Sequence, residues 1–195
     1  MSLDVVSIRM IGPHIKGAAV LCLGYPEHPE KVDTVRWLRE KGAKSVDVVD
    51  VIAHFGIERI VDLNVEQVWP RAYDLVINPG TLEHCFNIGM AWTNAWRALA
   101  VGGYLMQVVP ATMINHGFWN VSPVAIFDWC ATNGGEVLET LFATNGKASE
   151  WWPAKNPERM KRDRYQLPPE IVMYALCRKT SETPIRWPAQ GVYRR

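Results

Sequence analysis

Short, unbroken apolar runs alternate along this chain with longer segments of helical periodicity, and no other feature constrains the fold as strongly. Ala18–Leu23 (AAVLCL), Ser45–Val49, Arg59–Val61, Tyr73–Ile77 (YDLVI), Tyr104–Val109, Glu136–Ala143 and Ile171–Arg178 read as strands. A strand that is apolar on both faces must be covered on both faces, the situation of a parallel sheet between two helical layers. Pro29–Lys41 sets Val32, Val35, Trp37 and Leu38 mainly on one helical face, with Gly42 as its C-terminal stop. Asn87–Ala100 reads as a second helix ended by Gly102-Gly103. A third runs from the Ser122 cap and Pro123 to Thr132. The last two strands have no helix between them, only a polar connector from Thr144 to Pro169, so they are expected to pair antiparallel. The expected architecture is α/β, a mostly parallel sheet with an antiparallel hairpin at one edge. Residues 1–180 form a single domain and 181–195 a surface tail.

The chain has 195 residues, enough for one ordinary domain and cramped for two. Its 48% hydrophobic and 21% charged residues are globular values. A formal net charge of +1 gives no global electrostatic reason to expect nucleic acid or an anionic membrane surface. No apolar stretch approaches the roughly 20 residues of a membrane span. The N-terminus lacks a basic region followed by an apolar one, so the cytoplasm is the expected compartment. Cys22, Cys85, Cys130 and Cys177 make no C-x-x-C clip, and three of them lie in apolar runs as small buried thiols.

In an open α/β sheet, ligands bind beyond the carboxyl ends of the strands. That rule nominates Gly24-Tyr25, Asp50, Asp62 to Asn64, Asn78 to Gly80, and Pro110 to His116. A carboxylate at Asp50 has two available uses: accepting hydrogen bonds from ribose hydroxyls, or capping the following turn. The turn after the first strand, Gly24-Tyr25-Pro26-Glu27-His28-Pro29, holds one glycine and two prolines. Proline removes the backbone donors that cradle a pyrophosphate, which argues against a P-loop kinase and a nicotinamide dehydrogenase.

The run Asp74-Leu75-Val76-Ile77-Asn78-Pro79-Gly80-Thr81-Leu82-Glu83-His84-Cys85-Phe86-Asn87, followed by Arg97-Ala98-Leu99 and Val101-Gly102-Gly103-Tyr104, resembles the DLVI…GTLEHVFN…LLKPGG stretch of class I S-adenosylmethionine-dependent methyltransferases. It resembles most narrowly a bacterial and phage subgroup. The likeness extends to Asp62-Leu63-Asn64, to Asn115-His116-Gly117-Phe118-Trp119 before Ser122-Pro123, and to Trp187-Pro188-Ala189-Gln190. The resemblance implies a three-layer Rossmann-like fold with a seven-stranded sheet, six strands parallel and one antiparallel. It implies S-adenosylmethionine as cofactor. Gly24 would lie under the methionine part, with Tyr25 beside it. Asp50 would hold the ribose, and Asp62, Leu63 and Asn64 would line the adenine. Asn78, Gly80 and Thr81 would face the sulfonium and the acceptor. The chain departs from the usual first motif of that class: Cys22 stands at the acidic place and only Gly24 remains of the glycines. Some relatives hold a divalent metal with an acid at the position of Gly80 together with the Glu-His pair; glycine supplies no ligand, so no catalytic metal is expected.

Methyl transfer needs an aligned donor and acceptor, exclusion of water and, for a hydroxyl acceptor, a proton-accepting base. His84 and His116 are the candidate bases, with Glu83 as a third catalytic candidate. Each has a structural alternative: a backbone-bonded residue at a helix start for His84, a turn former for His116, and a carboxylate favoured by the helix dipole for Glu83. Tyr25, Phe118 and Trp119 are candidates to flank the sulfonium or a sugar-like acceptor ring, with loop packing favoured more for Phe118 than for Trp119. Trp92 and Trp96, four apart, read as helix packing. Trp151, Trp152 and Trp187 are candidates for an acceptor pocket or an interface with a protein partner or a second copy. His14, His28 and His54 show no ligand spacing. The leading expectation is methyl transfer to a small-molecule or sugar-like acceptor. The alternative is a methyltransferase-fold protein without catalysis that serves as a binding or structural subunit of a larger, phage-type assembly.

Overall fold

The computed structural model describes residues 3–53, 57, 59–144, 147–153 and 167–193, with backbone alone for 147–153 and 192. The strands are β1 (Ala19–Leu23), β2 (Ser45–Asp50), β3 (Arg59–Ile60), β4 (Tyr73–Asn78), β5 (Leu99–Pro110), β6 (Gly135–Thr144), β7 (Lys147–Pro153) and β8 (Ile171–Lys179). The helices are α1 (Val5–Ile11), α2 (Thr34–Glu40), α3 (Ile88–Ala98) and α4 (Pro123–Thr132). One sheet carries the order β3-β2-β1-β4-β5-β8-β6-β7. Strands β1 to β5 pair in parallel, and β8 runs antiparallel to both β5 and β6.

The strands bury both faces, as their composition requires. On one face Leu21, Leu23, Val76 and Leu105 meet Ala91, Trp92 and Ala95 of α3 and Ile126, Trp129 and Cys130 of α4. On the other, Val20, Cys22, Val48, Leu75, Ile77 and Met106 meet Val6, Met10 and Ile11 of α1 and Leu38 of α2. All four cysteines are buried and free. Short capping bonds start the helices: Asp4 accepts from the Ser7 amide at 2.9 Å, Asp33 from Arg36 at 2.9 Å and Asn87 from Met90 at 3.2 Å. The other end of α3 is closed by buried Lys179, whose ammonium donates to the Leu99 carbonyl at 3.0 Å and pairs with Glu182 at 2.7 Å.

Three expectations change. The seven strands stand in the expected arrangement, but an eighth, β7, forms inside the connector and makes the edge hairpin with β6. Strand β8 pairs antiparallel with β6, as expected of the last two strands, and lies between β5 and β6; Thr112 ties down its entrance, its hydroxyl donating to Pro168 at 2.7 Å and accepting from the Ile171 amide at 3.0 Å. The first expected helix begins five residues late, at Thr34 rather than Pro29, after the 29–33 loop. Gly102-Gly103 does not end a helix. It sits within β5 as a wide irregularity opposite Tyr73 and Leu75, where Gly102 has φ +89° and a Cβ on Gly103 would lie 2.9 Å from the Ala100 carbonyl oxygen. Helix α1 carries no strong sequence signal and was not anticipated.

The tail lies on the surface but is tied down. Asn133 donates to the Arg186 carbonyl at 3.1 Å and accepts from the Arg186 amide at 2.8 Å. Asp128 accepts from the Gly191 amide at 3.0 Å, and Trp187 packs 6.2 Å from Trp129, centroid to centroid.

Candidate active site

The carboxyl ends of the parallel strands are linked by a continuous chain of hydrogen bonds. The Thr81 hydroxyl donates to the Leu23 carbonyl at 2.6 Å, joining the loop after β4 to the tip of β1. The Gly24 amide donates to Val49 at 2.7 Å, joining β1 to β2. The Val61 amide donates to the Asp50 carbonyl at 2.8 Å, joining β2 to the segment after β3. Asp62 accepts from the Asn64 amide at 2.9 Å, and Asn64 accepts from the Asn87 amide at 2.9 Å, which carries the chain to the start of α3. Gly24, Asp50, Asp62, Leu63, Asn64 and Thr81 therefore share one ridge.

Individual roles differ along that ridge. Gly24 has φ +81°, and a Cβ there would stand 2.4 Å from the Thr81 hydroxyl oxygen. Asp50 accepts from its neighbour Val51 at 2.7 Å, so the turn-capping use is present. Leu63 is buried, and its carbonyl accepts from Asn94 at 3.1 Å. Asn78 is fully buried; its amide donates to Gln107 at 2.7 Å and its oxygen accepts from the Thr81 amide at 2.8 Å. Asn78 thus shapes the loop of Gly80 and Thr81 from below. Tyr25 packs against the α1–α2 face, where burial and the Asp33 carboxylate push its phenol upward.

A second cluster forms where the 3-10 turn Leu82–His84 meets the loop after β5. The carboxylate of Glu83 is buried, 3.7 Å from His116 Nε2 and 4.0 Å from His84 Nε2. The two imidazoles lie 5.3 Å apart, centroid to centroid. Burial lifts the Glu83 carboxyl to about 7. Burial first, and the neighbouring His116 second, hold His84 below the ordinary histidine value, so its imidazole is neutral at pH 7. Glu83 is thus a buried carboxylate within the 3-10 turn, and His84, whose amide donates to the Thr81 carbonyl at 3.1 Å, keeps its imidazole half exposed. Sequence reasoning named all three residues; the fold brings them together.

Aromatic side chains surround this cluster. Phe118 stacks edge-on with Phe86 at 5.4 Å and is 63% exposed against 40% for Trp119, the reverse of the expected order. The Trp119 indole donates to the Cys85 and Phe86 carbonyls, each at 3.2 Å. Behind Trp119 lies an apolar cavity of about 270 Å³, bounded among others by Trp92, Ala125, Trp129 and Trp187. The indole nitrogens of Trp92 and Trp129 are buried with no hydrogen-bond partner. Sequence reasoning assigned Trp92 to packing and missed this cavity, because its walls come from α3, α4 and the tail. Trp92 and Trp96 are both buried, as expected. His14 stacks on Tyr104, and His28 packs tilted against Trp37. His54 and the Trp151 and Trp152 side chains lie outside the described residues.

No protein-family model matches the sequence, and no curated protein matches it significantly. Solved structures do match in shape. TehB from Haemophilus influenzae aligns over 92% of this chain and 63% of its own, with TM-score 0.61 and 13% identity. The chain thus spans less than two thirds of TehB. The 1,6-didemethyltoxoflavin-N1-methyltransferase of Burkholderia thailandensis, solved with its namesake compound and S-adenosylhomocysteine, aligns over 89% and 76%, with TM-score 0.59 and 15% identity. The N-methyltransferase NodS of Bradyrhizobium japonicum, solved with S-adenosylhomocysteine, aligns over 91% and 89%, with TM-score 0.55 and 13% identity. The fold is that of the class I methyltransferases. In this methyltransferase fold the ridge from Gly24 to Asn64 occupies the carboxyl edge of the parallel strands, and the Glu83 cluster stands next to it beyond β4 and β5.

Proposed function

We propose that this protein transfers a methyl group from S-adenosylmethionine to a small-molecule acceptor, and that it belongs with the bacterial and phage subgroup its GTLEH and HGF motifs resemble. The observation that carries this reading is the hydrogen-bonded ridge that sets Gly24, Asp50, Asp62 and Thr81 side by side in a methyltransferase fold. The residues present suit the cofactor. S-adenosylmethionine has no pyrophosphate, so the two prolines after Gly24 remove nothing it needs. Gly24 would lie under the methionine part at the tip of β1, and the Asp50 carboxylate at the adjacent tip would accept from ribose hydroxyls. Asp62, Leu63 and Asn64 would flank the adenine, and Gly80 and Thr81 the sulfonium.

The cofactor supplies an activated methyl group: the S–CH3 bond breaks with its electron pair going to sulfur as the acceptor's lone pair bonds the carbon. The chain supplies alignment and a proton acceptor. His84, held neutral, is suited to take the proton of an acceptor hydroxyl, with His116 beside it and Glu83 stabilising the charge that develops. The tryptophan-lined cavity gives a planar or ring-shaped acceptor an apolar seat.

Calorimetric titration with S-adenosylmethionine, S-adenosylhomocysteine and NAD tests the reading. Micromolar binding of the first two, with none of NAD, supports it. No binding of either at millimolar concentration overturns it and returns the chain to the non-catalytic alternative.

A further inference from the structure

Glu83, His84 and His116 make a grouping that proton transfer alone does not require. Each offers one ligand atom, and among the described residues these atoms lie within 4.8 Å of one another. Two ligands of one tetrahedral ion, each about 2.0–2.1 Å from it, stand roughly 3.3 Å apart. The observed separations of 3.7 and 4.0 Å from Glu83 to the two imidazoles exceed that by an amount that small side-chain rotations close.

The carboxylate at the centre is the decisive feature. Its side chain is 1% exposed, and its Oε2 is buried with no hydrogen-bond partner. A buried carboxylate oxygen without a donor is costly unless a cation is supplied. The surrounding backbone holds the arrangement in place. The Phe118 amide donates to the Glu83 carbonyl at 2.9 Å. Gly117 approaches so closely that a Cβ there would lie 3.1 Å from Glu83 Cγ, and Asn115 takes φ +63° to turn the loop inward. The segment bearing His116 is thereby locked onto the one bearing Glu83 and His84.

We propose that Glu83, His84 and His116 bind one divalent first-row transition-metal ion. Two imidazole nitrogens and one carboxylate oxygen suit zinc, manganese or iron better than magnesium or calcium, which favour all-oxygen sites. Three protein ligands leave positions open for water or a substrate atom. The half-exposed His84 provides the approach from solvent. The expectation of no metal turned on Gly80; the third ligand here comes from His116, which only the fold brings near. The site stands on its own geometry, and only its use by the acceptor rests on the methyl-transfer reading. With an ion in place, the two imidazoles would serve as ligands in place of the base role, and the ion would supply Lewis acidity to an acceptor oxygen.

The test uses the full chain, freed of metal with a chelator and titrated calorimetrically with Zn²⁺, Mn²⁺ and Mg²⁺, with Co²⁺ added for its visible ligand-field bands. The expected result is one Zn²⁺ or Mn²⁺ per chain, bound at least 100-fold more tightly than Mg²⁺. His84→Ala and His116→Ala, both at partly exposed positions, should weaken binding at least tenfold and alter the Co²⁺ bands while leaving the circular dichroism unchanged. Glu83→Gln should do the same. No stoichiometric binding of Zn²⁺ or Mn²⁺, or binding that both histidine variants retain in full, overturns the proposal. S-adenosylmethionine titrated into the metal-free chain separates the two readings: cofactor binding without metal binding sinks only the metal site, and the converse sinks only the methyl-transfer reading.

Discussion

The Thr81 hydroxyl oxygen lies where a side chain on Gly24 would have to go: it donates to the Leu23 carbonyl at 2.6 Å and stands 2.4 Å from an ideal Cβ on Gly24. The same oxygen joins β1 to the loop after β4 and disfavours any larger residue at position 24. Gly24→Ala should therefore cost about 1–2 kcal/mol for its left-handed backbone, and more for the contact. Thr81→Ala alone should cost about 0.5–1.5 kcal/mol for the lost hydrogen bond. Because removing the hydroxyl relieves the clash, the double variant should be less destabilised than the sum of the singles. Urea unfolding of the three variants measures this, and strict additivity would contradict the packing argument.

Asp50→Ala should lower affinity for S-adenosylmethionine by about 1.5–3 kcal/mol, the range of a hydrogen bond to a charged group. Titration calorimetry on the folded variant reads this directly. An unchanged affinity would leave Asp50 only its observed work of capping Val51.

Asn78→Ala should destabilise the fold by about 2–4 kcal/mol. It strands the Gln107 side chain and the Thr81 amide, both of which Asn78 serves from a fully buried position. A loss under about 1 kcal/mol in chemical denaturation would mean that neighbouring groups or water take over its bonds.

Phenol, as a small planar probe, should enter the cavity and, packed against its walls, shift the indole N–H resonances of Trp92 and Trp129 in a ¹⁵N correlation spectrum. Ala125→Phe, which fills the cavity from α4, should abolish those shifts. Shifts that persist in the variant would place the probe elsewhere.

His14 provides a pH dependence whose direction is set by burial against Tyr104, which lowers its pKa below the ordinary value. A lowered histidine pKa means the fold prefers the neutral ring. The associated stability is complete above the unfolded value near 6.5 and is lost as pH falls below it. The stability gap between the parent and His14→Gln should thus be constant above about pH 7.5 and shift against the parent as pH falls through 6. A gap independent of pH from 8 to 5 would show that His14 titrates as it does in the unfolded chain.

Much of the fold was legible because its strands are apolar on both faces. Leu21 and Leu23 point to one helical layer while Val20 and Cys22 point to the other, so the run AVLCL admits no half-exposed sheet. The edge was less legible. Strand β7 pairs within a polar connector, and its hydrogen bonds come from β6 rather than from any apolar pattern of its own. Gly102-Gly103 misled because glycine signals a helix stop and a strand irregularity equally well, and only the β4–β5 register distinguishes them.

The site divides the same way. Local sequence determined that a glycine would follow β1, that carboxylates would stand at the strand tips, and that Glu83 and His84 would be adjacent, since these depend on chain order and strand period. Tertiary structure alone decided that His116 would lie 3.7 Å from Glu83, that Asn78 would face the core, and that four tryptophans from separate segments would enclose a cavity. The reason is that hydrophobic periodicity encodes which face of an element is buried, whereas the meeting of two loops at a sheet edge is settled by the packing of the whole sheet and by backbone bonds such as Phe118 to Glu83.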